Sequence, residues 1–210
     1  MSAAPAGGDG LAAARLSVAR VSEMDNACYL LECTATGRRL LVDAADDAPR
    51  LLELVGGRLD AVVTTHGHGD HHRALPEVVT ATGAQVLVGA EDAADLPVPA
   101  DVLLRHGDVV AVGEMRLDAV GLRGHTPGSV ALVLHDPGGR VLALTGDSLF
   151  PGGVGATGGD AERFTRLLDD VEERLFAVLP DRTEVLPGHG EPTTLGAERP
   201  SLADWRARGW

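Results

Sequence analysis

Five side chains of metal-ligating type fall within seven residues at His66-Gly67-His68-Gly69-Asp70-His71-His72, directly after the apolar run of residues 59–65. The pattern constrains the fold: a buried strand must end here and deliver imidazoles and a carboxylate into a turn. Nitrogen and oxygen ligands with no thiolate nearby suit zinc, iron or manganese. The cluster sits mid-chain, is punctuated by glycines and is flanked by core-like sequence, which separates it from an expression tag or a solvated histidine tract.

Three further strand-like segments close on glycine-rich turns that carry another ligand type. These are His125 in Gly124-His125-Thr126-Pro127-Gly128, Asp147 in Gly146-Asp147-Ser148, and His189 in Pro187-Gly188-His189-Gly190. Each alone reads as a loop residue. In series after the first cluster they read as one site assembled from several strand ends.

Periodicity fills in the frame. Residues 16–21, 27–32 and 39–43 read as hairpin-connected strands with Gly37 as a turn, and residues 48–55 as a helix closed by Gly56-Gly57. Residues 73–82 read as a second helix and 85–88 as a strand. Residues 109–112, 115–120, 130–134 and 141–145 form a second β-rich half, followed by a long amphipathic helix over 160–179 and a short strand at 183–186. Two β-rich halves with helices outside predict an α/β (α+β) fold, a four-layer αββα sandwich. Residues 15–210 are expected to form one domain behind a flexible leader, residues 1–14.

Composition narrows the function. A formal net charge of −13 argues against a nucleic-acid partner, since phosphate binding relies on a basic surface. No apolar run reaches the roughly 18 residues of a membrane span. With aromatic residues at 3%, the core must be built from Ala, Val and Leu. Cys28 and Cys33, the only cysteines, read as reduced and structural, and the leader lacks a signal-peptide core, so a cytoplasmic location is expected.

His66, His68, Asp70, His71, His125, Asp147 and His189, in this order and spacing, resemble the ligand set of the metallo-β-lactamase fold superfamily, in particular its glyoxalase II-like (hydroxyacylglutathione hydrolase-like) branch. The resemblance spans residues 40–190. It implies that His66, His68 and His125 hold one divalent metal ion, that Asp70, His71 and His189 hold a second, and that Asp147 bridges both. Zinc is the implied metal, with iron or manganese as alternatives, the pair lying about 3.5–4 Å apart. The implied activity is hydrolysis of a small-molecule thioester or ester by a metal-activated hydroxide, with Asp70 and Asp147 as catalytic carboxylates. Asp43 resembles the family's aspartate that orients a metal-bound histidine, while the residues alone allow an N-cap for the following helix equally well. Leu149, Phe150, Gly153 and Gly155 are expected to form a substrate loop beside the metals, able to open or close. The same stretch formally matches a dinucleotide fingerprint, but no strand immediately precedes it. His72 matches no ligand position, and His106 and His135 fall outside every motif.

The chain ends 21 residues after His189. A counterpart of the helical domain with which glyoxalase II grips its glutathione carrier is therefore not expected within these residues, and the thiol carrier stays open. Leu202, Trp205 and Trp210 are expected to dock as a short helix. Rival readings are a persulfide dioxygenase with one iron on His66 or His68 with His125 and Asp147, a lactonase, and a non-catalytic ligand-binding protein. The lactonase reading lacks a substrate-side tyrosine, since the only tyrosine, Tyr29, lies on an early strand. The non-catalytic reading predicts a lost ligand, and all seven positions are filled. No sequence feature fixes the oligomeric state.

Overall fold

The computed structural model describes residues 10–209 and contains two six-stranded sheets. The first runs in the order β1 (Ala14–Val21), β2 (Asn26–Cys33), β3 (Arg39–Val42), β4 (Ala61–Thr64), β5 (Gln85–Gly89) and β6 (Val102–Leu104). β1 to β3 pair antiparallel, and β3 to β6 pair parallel. Parallel neighbours need a crossover, supplied by α1 (Ala48–Val55) between β3 and β4 and α2 (Leu75–Thr82) between β4 and β5. α1 starts because the Asp47 side chain accepts from Arg50 N and Pro49 occupies the first turn; it stops at left-handed Gly56.

The second sheet takes β7 (Val109–Val112), β8 (Met115–Gly121), β9 (Val130–His135) and β10 (Val141–Gly146). A two-stranded hairpin follows, β11 (Leu149–Phe150) with β12 (Gly153–Val154), and then α3 (Ala161–Val171). The chain finishes with β13 (Glu184–Pro187), β14 (Thr193–Thr194), α4 (Leu195–Glu198) and α5 (Leu202–Arg208). Spatial order is β14-β13-β10-β9-β8-β7, with only the β10–β13 pair parallel.

Burial sorts the layers. Leu31, Leu40, Leu117, Leu132 and Leu142 meet between the sheets. Leu51, Leu75 and Val78 of the first two helices pack on Leu41 and Val62 of the first sheet, while Phe164, Leu167 and Val171 of α3 pack on Ala131 and Ala143 of the second. In β4, Ala61 and Val63 face the other sheet and Val62 faces the helices, so the strand is apolar on both sides. This is the expected αββα arrangement. Trp205 of α5 is buried in the outer layer beside α3, while Trp210 lies outside the described residues.

Three expectations change in detail. The leader is packed at its C-terminal end: Leu11 reaches the inter-sheet core and Ala13 N donates to Asp136 Oδ1 at 2.8 Å, while residues 1–9 lie outside the described residues. The helix of residues 160–179 is α-helical only to Val171, then widens to a π turn over Glu172–Phe176, closed by Ala177 N to Glu172 O. That widening keeps Leu175 and Phe176 in the core while Arg174 reaches Gly121 O and Asp170. The helix of residues 73–82 starts at Leu75, because Arg73 N and Ala74 N donate instead to Ala45 O and Ala44 O. Cys28 and Cys33 are both free and buried; they face the helix layer and the inter-sheet core respectively, which prevents their pairing. No helix among the described residues is long and apolar enough to cross a membrane.

Asp170 joins α3 to the loop before His125. It is 2% exposed and accepts from Arg123 main-chain N (2.9 Å), Nε (2.8 Å) and Nη2 (2.7 Å), and from Arg174 Nη2 (3.0 Å). Burial would raise its carboxyl pKa, but the bonds and charges of Arg123 and Arg174 hold it below the usual range. Its contribution is therefore complete above about pH 4, the unfolded-state value, and is lost as pH falls through the lower folded value. Asp170→Asn should cost about 3 kcal/mol in urea unfolding at pH 7, and the difference from the parent should narrow in the same measurement at pH 3.

Candidate metal centre

The C-terminal ends of β3, β4, β10 and β13 and the loop from β8 to β9 reach one edge of the sandwich, and each brings at least one of the residues singled out above. Asp43 follows β3, His66 to His71 follow β4, His125 lies in the β8–β9 loop, Asp147 follows β10 and His189 follows β13. The seven expected ligands form three overlapping groups able to hold a metal: His66, His68 and His125; His66, His71 and Asp147; Asp70, His71 and His189.

In the first triad His66 Nε2 lies 3.1 Å from His68 Nδ1 and 3.2 Å from His125 Nε2. In the second, His71 Nε2 lies 3.1 Å from His189 Nε2, and Asp70 Oδ2 lies 3.5 Å and 3.3 Å from those two nitrogens. Asp147 stands between the triads. Its Oδ1 is 3.4 Å from His71 Nε2, and its Oδ2 is 3.7 Å from His125 Nε2 and 3.5 Å from His189 Nε2. Gly188 permits this approach, since a Cβ there would overlap Asp147 Oδ1 and His71 Cε1.

The outer ring nitrogens fix where the inner lone pairs point. His125 Nδ1 donates to Ala156 O and His189 Nδ1 to Met24 O, each at 2.8 Å, and a carbonyl can only accept. His71 Nδ1 donates to Asp43 Oδ2 at 2.8 Å. Thr65 Oγ1 donates to Asp43 Oδ2 at 2.8 Å and so accepts from His66 Nδ1 at 3.1 Å. His66, His125 and His189 therefore aim unprotonated nitrogens inward, and His71 turns its Nε2 to meet them, an arrangement that a shared cation satisfies. Asp147 Oδ1 is buried without a hydrogen-bond partner, which fits the same cation. The donor set thus suits two divalent ions.

Electrostatics agree with ligand chemistry at most positions. Burial, reinforced by the neighbouring histidines, holds His66 well below the ordinary imidazole value, and burial outweighs Asp147 to lower His125. Burial also pulls His71 down, but the Asp43 and Asp147 carboxylates overcome it and push the ring up to about 10. That proton occupies a place a cation would take. Burial would raise Asp70, but Asn26 and His71 hold it below the carboxylate range.

Asp43 is 1% exposed and sits in the left-handed region at φ 61°. Its Oδ1 accepts from Thr65 N at 2.7 Å, while its Oδ2 serves His71 directly and His66 through Thr65. The cap of α1 is Asp47 instead. His72 is buried with Nε2 3.2 Å from Gly67 O, and His135 pairs with Asp118 on the surface.

The expected substrate loop divides. Leu149 is fully buried in the outer core against the helix layer and anchors the hairpin, whereas Phe150 is half-buried. Gly155 packs so closely that a Cβ would overlap the Asp147 carbonyl and crowd His125 Nδ1. Gly152 N donates to Glu198 Oε2 at 2.8 Å, so the hairpin that holds Gly153 is braced by the C-terminal segment.

Sequence reasoning missed Asn26. It is fully buried, forms a main-chain bridge with His189, and its Nδ2 lies 3.1 Å from Asp70 Oδ2 and 3.3 Å from His189 Nε2. In the sequence it is a polar residue at the end of a hairpin turn, a position with many ordinary explanations.

A family model described as the metallo-beta-lactamase superfamily matches residues 22–189. The chain is 43% identical over 169 residues to a hydroxyacylglutathione hydrolase of Fuscovulum blasticum, covering 79% of this chain and 62% of that relative's length. Among solved structures it resembles ETHE1 from Myxococcus xanthus, with TM-score 0.78, 31% identity, and coverage of 90% of this chain and 84% of that one. It also resembles TTHA1623, solved in a di-iron-bound form, with TM-score 0.70, 30% identity, and coverage of 87% and 96%.

Asp43→Ala should weaken metal binding about 10- to 100-fold in both triads, measured by titrating zinc into apoprotein against a chromophoric chelator. Asp47→Ala, which removes only the helix cap, should cost about 1 kcal/mol of stability and leave zinc affinity unchanged.

Proposed function

We propose, for a chain that belongs to the metallo-β-lactamase superfamily, that the loop-bearing edge holds a binuclear metal centre that hydrolyses a small-molecule thioester or ester in the manner of glyoxalase II. The observation that carries this reading is the Asp147 carboxylate standing between two complete triads, Oδ1 beside His71 of the second and Oδ2 between His125 of the first and His189 of the second. The name shared by the curated relatives supports a thioester as substrate class. This chain spans 62% of the length of those relatives, so activity, substrate and thiol carrier all belong to the proposal.

His66, His68 and His125 would hold one ion, Asp70, His71 and His189 the other, and Asp147 both. Bound there, two divalent ions supply a Lewis acid for the carbonyl and lower the pKa of water from about 15.7 to about 7. The protein does the positioning. Asp43 keeps His66 and His71 in the tautomers whose lone pairs face inward. Asp70 and Asp147, the two carboxylates on the centre, would orient an attacking water by accepting its hydrogen bonds. A thiolate departs without a dedicated proton donor, which suits a site rich in ligands. Phe150, half-buried in the hairpin after Asp147, would offer an apolar side chain to an acyl group.

Zinc is the proposed metal, and iron its alternative. A cytoplasmic location belongs to the same reading, supported by two buried free thiols. The second reading, a persulfide dioxygenase, needs one iron on two histidines and Asp147.

Elemental analysis of protein purified without added metal should find close to two ions per chain, and chelation should abolish cleavage of a thioester panel. Asp147→Ala should lose metal and activity together. Close to one iron per chain, with oxygen consumed on addition of a glutathione persulfide, would replace the hydrolase with the dioxygenase.

A further inference from the structure

Asp92 lies in the 3₁₀ turn that follows β5, in a segment that no ligand motif touches. Its side chain is fully buried, yet its hydrogen bonds go to the loops that carry the first triad. Oδ2 accepts from Gly67 N at 2.9 Å and from Thr126 Oγ1 at 2.5 Å, and Oδ1 accepts from Gly128 N at 2.7 Å. Gly67 separates His66 from His68 at the end of β4, in the first sheet. Thr126 and Gly128 follow His125, in the second sheet. One carboxylate is thereby bonded to both backbones from which the first triad's three rings project.

The arrangement has a physical purpose beyond satisfying loop N–H groups. The three rings reach one point only if the two loops, on separate sheets, keep a fixed offset, and a metal arriving at loose loops must supply the cost of ordering them. A buried carboxylate with three donors resists displacement, because moving either loop leaves a buried polar group unpaired. The second triad is held differently, through Asn26 on Asp70 and His189 and through Met24 O on His189.

We propose that Asp92 is a positioning residue that clamps the His66–His68 loop to the His125 loop and so pre-forms the first metal site, independently of the second. The proposal rests on the metal-centre reading above. Its test is zinc titration of apoprotein against a chromophoric chelator, with the thermal transition of apoprotein and zinc-loaded protein recorded alongside. His125→Ala and His189→Ala assign the two binding steps to the first and second triads.

Asp92→Asn should weaken zinc at the first triad about 10- to 100-fold while leaving the second step unchanged, and the zinc-induced rise in Tm should shrink. Asp136→Asn is the comparison. Asp136 is likewise a buried carboxylate accepting main-chain N–H groups, from Ala13 and Gly138, but on the β9–β10 turn at the other end of the sheet. That variant should lower Tm and leave both zinc affinities intact. If Asp92→Asn lowers Tm while both affinities stay at parent values, or weakens both steps equally, the clamp is a general structural feature and the proposal fails. Should Asp92→Asn not fold, Thr126→Val, which removes one of the three donors, decides: about fivefold weaker zinc at the first triad supports the clamp, and unchanged affinity overturns it. A parent chain that binds no zinc at all would overturn the metal-centre reading itself, a different failure from an Asp92 variant with normal affinity.

Discussion

The Asp43 carboxylate sets the protonation pattern on which the whole centre depends. Accepting the His71 Nδ1–H directly and the His66 Nδ1–H through Thr65, it turns the Nε2 of one ring in each triad inward. It does so from a left-handed backbone that a non-glycine residue adopts at some cost, and from full burial, where an unpaired charge would be unaffordable without Thr65 N, Thr65 Oγ1 and His71 as donors. Position in the fold makes this possible: β3 and β4 pair parallel and in register, so the residue after β3 reaches the residues just beyond the end of β4.

Stacking of the two sheets supplies the rest. Ligands from the first sheet meet ligands from the second because a shared apolar layer of Leu, Val and Ala holds the sheets face to face. Cross-links near the loop-bearing edge then refine the fit. Val130 N donates to Thr65 O, Ala27 N donates to Gly188 O, and Tyr29 OH donates to Pro187 O at 2.8 Å. On the far side, α3 grips the His125 loop through Asp170 and through Arg163, which donates to Gly124 O and His125 O. The His125 loop is thus tied on two sides, which suits a centre whose ligand atoms must converge within a few tenths of an ångström.

The hairpin after Asp147 shows how far a loop reading can be carried. Its glycines suggest mobility, but Gly155 is tied to the ligand frame, Leu149 is core, and Glu198 bonds Gly152 N and Thr193 Oγ1 together. Glycine here serves close approach. The freely placed part of the hairpin is accordingly narrower than the sequence pattern implies, with Phe150 its half-buried apolar side chain.

Much of this protein is written locally. The strands, the two short helices and their glycine stops follow from period and capping, and the ligand types and their order follow from the turns that end the strands. Those signals act over a few residues, so a sequence displays them directly. The tertiary structure alone decided that Asn26 lies against His189, 163 residues away, that Asp92 joins loops of two sheets, that Leu149 turns outward, and that Asp43 serves two histidines rather than a helix end. Each depends on the offset of one packed layer against another. Apolar side chains specify burial without direction, so the periodicity that builds a layer does not encode which polar group of its neighbour it will meet.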